Sequence, residues 1–389
     1  MAIPGVLSDL LNLPTAAFVE HAVRDHLAAA CDKLAGVTRK LDRHGNLVAR
    51  YRRNPPRRPP LVFTAHMDHP GFCSLRMTGR KKLLAAFRGW VEPEYFAGQR
   101  VRFWSGGRWI KGRVASIEKV APVYGLIGRS GRPEEVAIAV EGDVAPNAPG
   151  MWDLPDAYEK KDCVHARGCD DIAGAAGLLA MLQQLSRSRA AADVIVLFTR
   201  AEEVGFVGAI AASRTGTIPR KLPIIAIETS KAIQGVQMGG GPILRVGDKT
   251  SIFTPALTAY CEHVAKSLAG ISTKKPAQAG QGGFKFQRKL MDGGTCESTA
   301  YIAYGYAATG ICLGLGNYHN MNMDKRRIES EYVHLDDWRW MVEWFVSLAC
   351  DRGDWRDGDP AVREAMDQRY DKYLPLLHEG PRARRFAKA

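Results

Sequence analysis

The run Asp193-Val194-Ile195-Val196-Leu197-Phe198, continuing into Thr199-Arg200-Ala201-Glu202-Glu203-Val204-Gly205, constrains the fold of this chain more than any other stretch. An apolar, β-branched segment of this length reads as a buried strand. Two adjacent carboxylates therefore stand where a strand ends, and in open α/β sheets ligands bind beyond the carboxyl ends of the strands. Neighbouring carboxylates repel unless a positive charge lies beside them. Taken alone, such a pair reads more simply as two solvated charges on a loop. The rest of the chain must decide.

The same pattern recurs. The apolar run 61–65 ends at His66-Met67-Asp68, a histidine and a carboxylate two residues apart. That spacing suits a metal ligand and its orienting partner, or a hydrogen-bonded pair with no metal. Leu222-Pro223-Ile224-Ile225-Ala226-Ile227 ends in Glu228, and the strand-like run 309–314 leads into Asn317-Tyr318-His319-Asn320. Gly168-Cys169-Asp170-Asp171 precedes a helix of small apolar residues over 172–182, where free backbone N–H groups favour a carboxylate. Asp171 reads as a helix cap and nothing more. His66, Asp170, Glu203, Glu228 and His319 thus converge on one edge of one sheet. Imidazole nitrogen and carboxylate oxygen are zinc's usual donors outside thiolate sites. With Glu202 to spare, two ions sharing a bridging carboxylate are more economical than one, and two-metal sites serve hydrolytic displacement.

Around this edge the chain is organised as an α/β domain with an insertion. A helix is expected over 15–34, where Val19, Val23, Leu27, Ala30 and Leu34 form an apolar stripe, and two strands over 37–41 and 46–51. From about 71 to 162 the texture changes to short strand-like pieces broken by glycine turns, with no helix of useful length. This reads as a small all-β, barrel-like module inserted between a first catalytic part, 1–70, and a second, 163–350. A helix near 338–350 and a basic extension, 351–389, close the chain. At 389 residues with 46% hydrophobic content, the core needs no covalent staples.

Partners and compartment follow from charge and cysteine usage. The eight cysteines include no CxxC pair, so they read as reduced thiols of a cytoplasmic protein. The first residues lack a signal-peptide pattern, and no apolar run approaches the roughly 18 residues needed to span a membrane. The net charge of +13 is spread over Arg52-Arg53 with Arg57-Arg58, Arg80-Lys81-Lys82, and the tail at 382–385. Scattered basic loops with no nucleic-acid motif beside them read as solvated, so a nucleic-acid partner is not expected.

The motifs, taken in order, resemble a known family. Gly45-Asn46-Leu47, His66-Met67-Asp68, Gly71-Phe72, Gly98-Gln99-Arg100-Val101, Asp170-Asp171, Glu202-Glu203-Val204-Gly205, Gly293-Gly294-Thr295 and His319 are similar to those of the cytosolic dinuclear-metal aminopeptidases of the tetrahedral-assembly (TET) type. That family includes glutamyl aminopeptidases and endoglucanase-M-like proteins. The resemblance spans roughly residues 7–350 and places the insertion before the bridging aspartate, as in that family. It implies a zinc-peptidase-like three-layer α/β/α catalytic domain with a mixed, mostly parallel sheet and the inserted barrel.

The resemblance also implies roles. One divalent ion would be held by His66, Asp170 and Glu228, and the other by Asp170, Glu203 and His319, with Asp170 bridging. Asp68 would orient His66, and Glu202 would be the general base. Zinc, cobalt and manganese all suit these donors. Peptide substrates and a homo-oligomer are implied as well. The chain departs from the family pattern at Glu228 and Cys296, where aspartates are usual, at Ile172, where arginine is usual, and around His319, which normally lies in Tyr-Ile-His-Ser-Pro. Aminopeptidase activity is the first expectation. A metal-dependent carboxypeptidase or deacylase on a related scaffold, and a non-catalytic assembly or binding protein, are the alternatives.

Overall fold

The computed structural model describes residues 2–120, 131–271 and 283–379. Helices α1 (Gly5–Leu11) and α2 (His21–Asp32) lead to the hairpin of β1 (Val37–Leu41) and β2 (Leu47–Arg53), and then to β3 (Leu61–His66). The next strands, β4 (Gly71–Gly79), β5 (Lys82–Arg88), β6 (Arg100–Ser105), β7 (Arg108–Val120), β8 (Pro133–Val140) and β9 (Pro149–Trp152), close a barrel in the order β4-β5-β8-β7-β6-β9. After β10 (Tyr158–Lys160) and β11 (Cys163–Ala166) come α3 (Ile172–Ser188), β12 (Ala192–Thr199), α4 (Val207–Thr215) and β13 (Ile224–Lys231). Then follow β14 (Ile243–Asp248), α5 (Pro255–Leu268), β15 (Gln287–Met291), α6 (Glu297–Ala303) and β16 (Ala308–Leu315). The short β17 (Met321–Asn322) and β18 (Arg327–Ile328), β19 (Glu331–His334), α7 (Leu335–Cys350) and α8 (Pro360–Glu379) complete the chain.

The main sheet has eight strands in the order β1-β2-β12-β3-β13-β16-β14-β15. Its centre, β12-β3-β13-β16, is parallel, while β2 pairs antiparallel with β12 and β14 antiparallel with β16. Strands buried on both faces need apolar residues at every position, because successive side chains point to opposite sides. In β12, Val194, Val196 and Phe198 enter the core beneath α1, α2, α3, α5 and α7, whereas Ile195 and Leu197 face α4 and α6. In β3, Leu61, Phe63 and Ala65 alternate with Val62 in the same way. The result is three layers, α/β/α, with the mixed, mostly parallel sheet in the middle.

The barrel has its own aromatic core. Phe72 packs edge-on against Trp152 at 4.9 Å between ring centres, and Phe87 against Phe96 at 4.9 Å. Gly150 is required beside Phe103, because a Cβ there would lie 2.4 Å from the ring. Such a centre buries aromatic area independently of the sheet.

The structure corrects several expectations outside the site. The helix expected over 15–34 begins only at His21, and a separate helix, α1, precedes it. Residues 15–20 are held instead as a loop: the Thr15 hydroxyl donates to the Met67 carbonyl at 2.6 Å, and Phe18 takes a φ of 72°. Strand β13 runs three residues past Glu228, to Lys231. The extension after 350 contains α8, a helix that the sequence reading left out. The basic cluster at 382–385 lies outside the described residues. Among the described residues no helix is long and apolar enough to cross a membrane.

Candidate active site

Parallel pairing brings the strand ends into register. His66, the last residue of β3, lies opposite Thr199, the last residue of β12. The chain then turns sharply, with Ala201 and Phe206 at φ of 52° and 60° and Gly205 at 111°. Two carboxylates clamp this turn. Glu20 accepts from the Arg200 guanidinium at 2.9 Å and from the Ala201 N–H at 3.0 Å. Asp68 accepts the N–H of Glu202 on one oxygen and that of Glu203 on the other, each at 3.0 Å. Asp68 also approaches His66 Nδ1, its carboxylate at 3.6 Å and its carbonyl oxygen at 3.0 Å.

Asp170 stands at the centre. Its Oδ1 is 3.3 Å from His66 Nε2, which lies 3.5 Å from Glu228 Oε1. Its Oδ2 is 3.7 Å from His319 Nε2, which lies 3.4 Å from Glu203 Oε2. Glu202 shares a second grouping with His66 and Glu228, with ligand atoms within 4.8 Å of one another. The structure therefore brings together every sequence-selected residue: His66, Asp68, Asp170, Glu202, Glu203, Glu228 and His319.

The imidazoles are oriented for lone-pair donation. His319 Nδ1 meets the Trp90 carbonyl at 2.6 Å, and His66 Nδ1 meets that of Asp68. A ring nitrogen facing a carbonyl carries a proton, so in each ring it is Nε2 that faces the carboxylates and could serve as a metal donor when deprotonated. Burial, reinforced by His69, lowers the His319 pKa to about 3, so that ring is neutral. Burial also lowers His66, but the charges of Glu202 and the other carboxylates around it outweigh this and leave its pKa raised.

The carboxylates carry the complementary strain. Burial, then the charge of Glu228, raises Asp170. Burial, then Asp170 and Glu202, raises Glu203. Burial raises Glu202 against the opposing pull of His66. For Glu228, burial pushes upward, but His66 and Arg245 outweigh it and leave it lowered. Asp170 Oδ1 and Glu203 Oε1 are buried without a hydrogen-bond partner. Buried carboxylate oxygens without partners are costly unless a cation meets them. These orphaned oxygens and the nitrogen–oxygen donor set fit divalent metal ions.

Other participants carried no clear sequence signal. Glu331 accepts the N–H of His319, Cys169 and Asp170. His69 links the Asp170 carbonyl to Asn320. Trp90 contributes its carbonyl and sets its indole edge-on to the His319 ring at 6.1 Å between ring centres. An extra histidine directly after His66-Met67-Asp68 was the one available clue. Asp171 proves to be more than a cap: its side chain makes no capping bond to α3 and instead accepts the Thr229 hydroxyl at 3.0 Å. An open cleft above the cluster is lined by Arg245, Lys231, Tyr318 and Gly293-Gly294-Thr295. Within it, Arg245 Nη1 donates to the Ser230 hydroxyl at 2.7 Å.

A family model, "M42 glutamyl aminopeptidase", matches residues 144–322, which include Asp170, Glu202, Glu203, Glu228 and His319. The resemblance to the tetrahedral-assembly aminopeptidases holds. A curated relative from Acetivibrio thermocellus, named "Putative aminopeptidase", is 26% identical over 265 residues, covering 64% of this chain and 73% of its own. The TET1 peptidase of Pyrococcus horikoshii, described as assembling into a tetrahedron or a large octahedral shell, shares the fold with a TM-score of 0.69. It is 20% identical, with 88% of this chain and 98% of that one covered. A TET aminopeptidase from a marine-sediment Thaumarchaeota archaeon matches with a TM-score of 0.69 at 18% identity, over 92% and 98% of the two chains. The activity class that these matches support is peptide hydrolysis, in a metal-dependent family.

Proposed function

We propose that this protein is a two-metal aminopeptidase that removes N-terminal residues from peptides. The observation that carries the reading is Asp170, whose two oxygens face separate histidine–glutamate pairs, His66 with Glu228 and His319 with Glu203. In that arrangement His66, Glu228 and Asp170 would hold one divalent ion and His319, Glu203 and Asp170 a second, with zinc the first choice and cobalt or manganese suited to the same donors. Bound there, divalent ions supply Lewis-acid polarisation of a carbonyl and lower the pKa of water towards ~7. Glu202 is the base: it is buried, its pKa is raised, and it is not needed in either ligand triad. It takes a proton from the attacking water and delivers it to the leaving amine. Asp68 positions His66 and the Glu202–Glu203 backbone, and touches neither substrate nor proton.

Glu228 suits its place although it is longer than aspartate, since its Oε1 reaches back to its neighbour's N–H, Thr229, at 3.1 Å. We further propose the domain division 1–70, 71–162, 163–350 and 351–389, with the barrel module making subunit contacts in a homo-oligomer and doing no chemistry. The TET relative described as assembling into a tetrahedron or a large octahedral shell supports the homo-oligomer. The free cysteines are consistent with a reducing, cytoplasmic setting.

The test is hydrolysis of aminoacyl-anilides, with and without an acetylated amine, after metal stripping and reloading. Activity that requires the free amine and returns with metal supports the reading. Activity on acylated but not free substrates would make the protein a deacylase instead.

A further inference from the structure

We infer that Glu331 is a positioning residue whose carboxylate sets the spacing of the two loops that carry Asp170 and His319, and with it the affinity for the ion bound through His319. The inference rests on the two-ion reading above. Glu331 Oε1 accepts the His319 N–H at 2.7 Å, and Oε2 accepts those of Cys169 at 2.6 Å and Asp170 at 3.1 Å. The side chain has no solvent exposure. Its strand explains the reach: in the β11–β19 pair Glu331 lies opposite Ala166, just before the chain leaves β11 for Asp170. One carboxylate therefore ties together two loops that share no strand.

The loop around His319 needs such a tie. Asn317, His319 and Asn320 take positive φ angles of 53°, 54° and 65°. Left-handed backbone at non-glycine residues persists only where the surroundings over-determine it. Charge-assisted bonds from a buried carboxylate to backbone N–H groups are among the stronger ones available. A parallel strut runs beside it. The Asn320 side chain donates to the Arg167 carbonyl at 2.7 Å and meets His69 Nε2 at 3.0 Å, while His69 Nδ1 meets the Asp170 carbonyl at 2.8 Å. His66 on β3 and Glu228 on β13, in contrast, are held by strand pairing, opposite Thr199 of β12 and Cys312 of β16. Loss of the Glu331 tie therefore reaches the two ions unequally.

The experiment is a zinc titration by calorimetry, with metal counting after dialysis, on the wild type, Glu331→Gln and Asn320→Ala. Circular dichroism and melting of the metal-free proteins check the fold. The glutamine keeps the size but sets an NH2 donor against backbone donors. Expected is a wild type that takes two zinc ions, and variants that keep the first near wild-type affinity while the second weakens about 10–100-fold, the usual effect of losing an outer-shell partner. Folded variants that bind both ions as the wild type does, or lose both equally, overturn the inference. Should Glu331→Gln not fold, Asn320→Ala decides by the same criteria. A wild type that takes at most one ion overturns the two-ion reading and this inference with it, and no variant is needed to see that.

Discussion

Asp68 accepts the backbone N–H of Glu202 at 3.0 Å. Its other oxygen does the same for Glu203, so one buried carboxylate fixes the turn on which both acidic residues stand. The Asp68→Asn variant leaves one of these N–H groups facing an amide donor. A buried donor without an acceptor costs about 1–3 kcal/mol. Denaturant unfolding should show a loss of that size, and kcat/KM should fall together with it, because the turn and His66 shift at once. Wild-type stability in Asp68→Asn would remove Asp68 from this role.

Glu202 separates base from ligand. Glu202→Gln keeps the side-chain volume but cannot take a proton. General-base transfer contributes about 10²–10⁴-fold, so kcat should fall by at least about two orders of magnitude while metal content and KM change little. Near-normal turnover with metal bound would give the proton to another residue.

Glu203 and His319 belong to one half of the cluster. Glu203→Gln or His319→Ala should lower zinc content from two ions to one per chain, measured by elemental analysis after dialysis. His66→Ala should do the same for the other half. Chelation of the wild type should abolish hydrolysis, and added zinc should restore it. A chain that never takes more than one ion would count against the shared Asp170.

The metal-free protein should lose stability as pH rises through the weakly acidic range towards neutrality. Burial pushes the Glu297 carboxyl from 4.5 up to about 7, and burial also raises Asp170, Glu202 and Glu203. A folded state that holds a carboxyl proton more tightly than the unfolded chain loses stability as pH climbs through that interval. His66, with its raised pKa, acts in the same sense. His319 opposes this only between about 3 and its ordinary 6.5, where it is neutral folded and charged unfolded. Above that the carboxylates act without opposition. The Tm of the stripped protein should therefore drop as pH rises from about 4.5 to about 7, four carboxyls outweighing one imidazole, and Glu297→Gln should reduce the drop. A flat Tm over this range would contradict the assigned burial effects.

Helix α8 leaves Val362, Met366, Tyr370, Tyr373 and Leu377 exposed. Truncation after Asp359 preserves that residue's bonds to His263 and Lys266 on α5. A helix whose apolar residues face solvent adds little to the stability of the body, so Tm and hydrolysis should remain near wild type, read by calorimetry and anilide turnover. A large loss of Tm would mean that α8 is covered in solution.

The local signals in the chain were enough for the architecture and for most of the site. Short, largely apolar, β-branched runs at 61–65, 193–198 and 309–314 read as strands covered on both faces, and a donor residue follows each within a few positions. The change to short, glycine-broken strands marked the barrel for the same reason: side-chain period and turn chemistry are local properties. Three things were decided only by the folded chain. The turn at 15–20 replaced a helix because Thr15 and Glu20 have partners far away, Met67 and Arg200. Asp171 turned from a cap into a partner of Thr229 because β13 passes beside α3. Glu331 and His69 entered the site as side chains bonded to the backbone N–H of His319 and the carbonyl of Asp170, and Trp90 through its own carbonyl. Every residue carries those groups, so no residue type announces them, and only tertiary packing determines which ones meet.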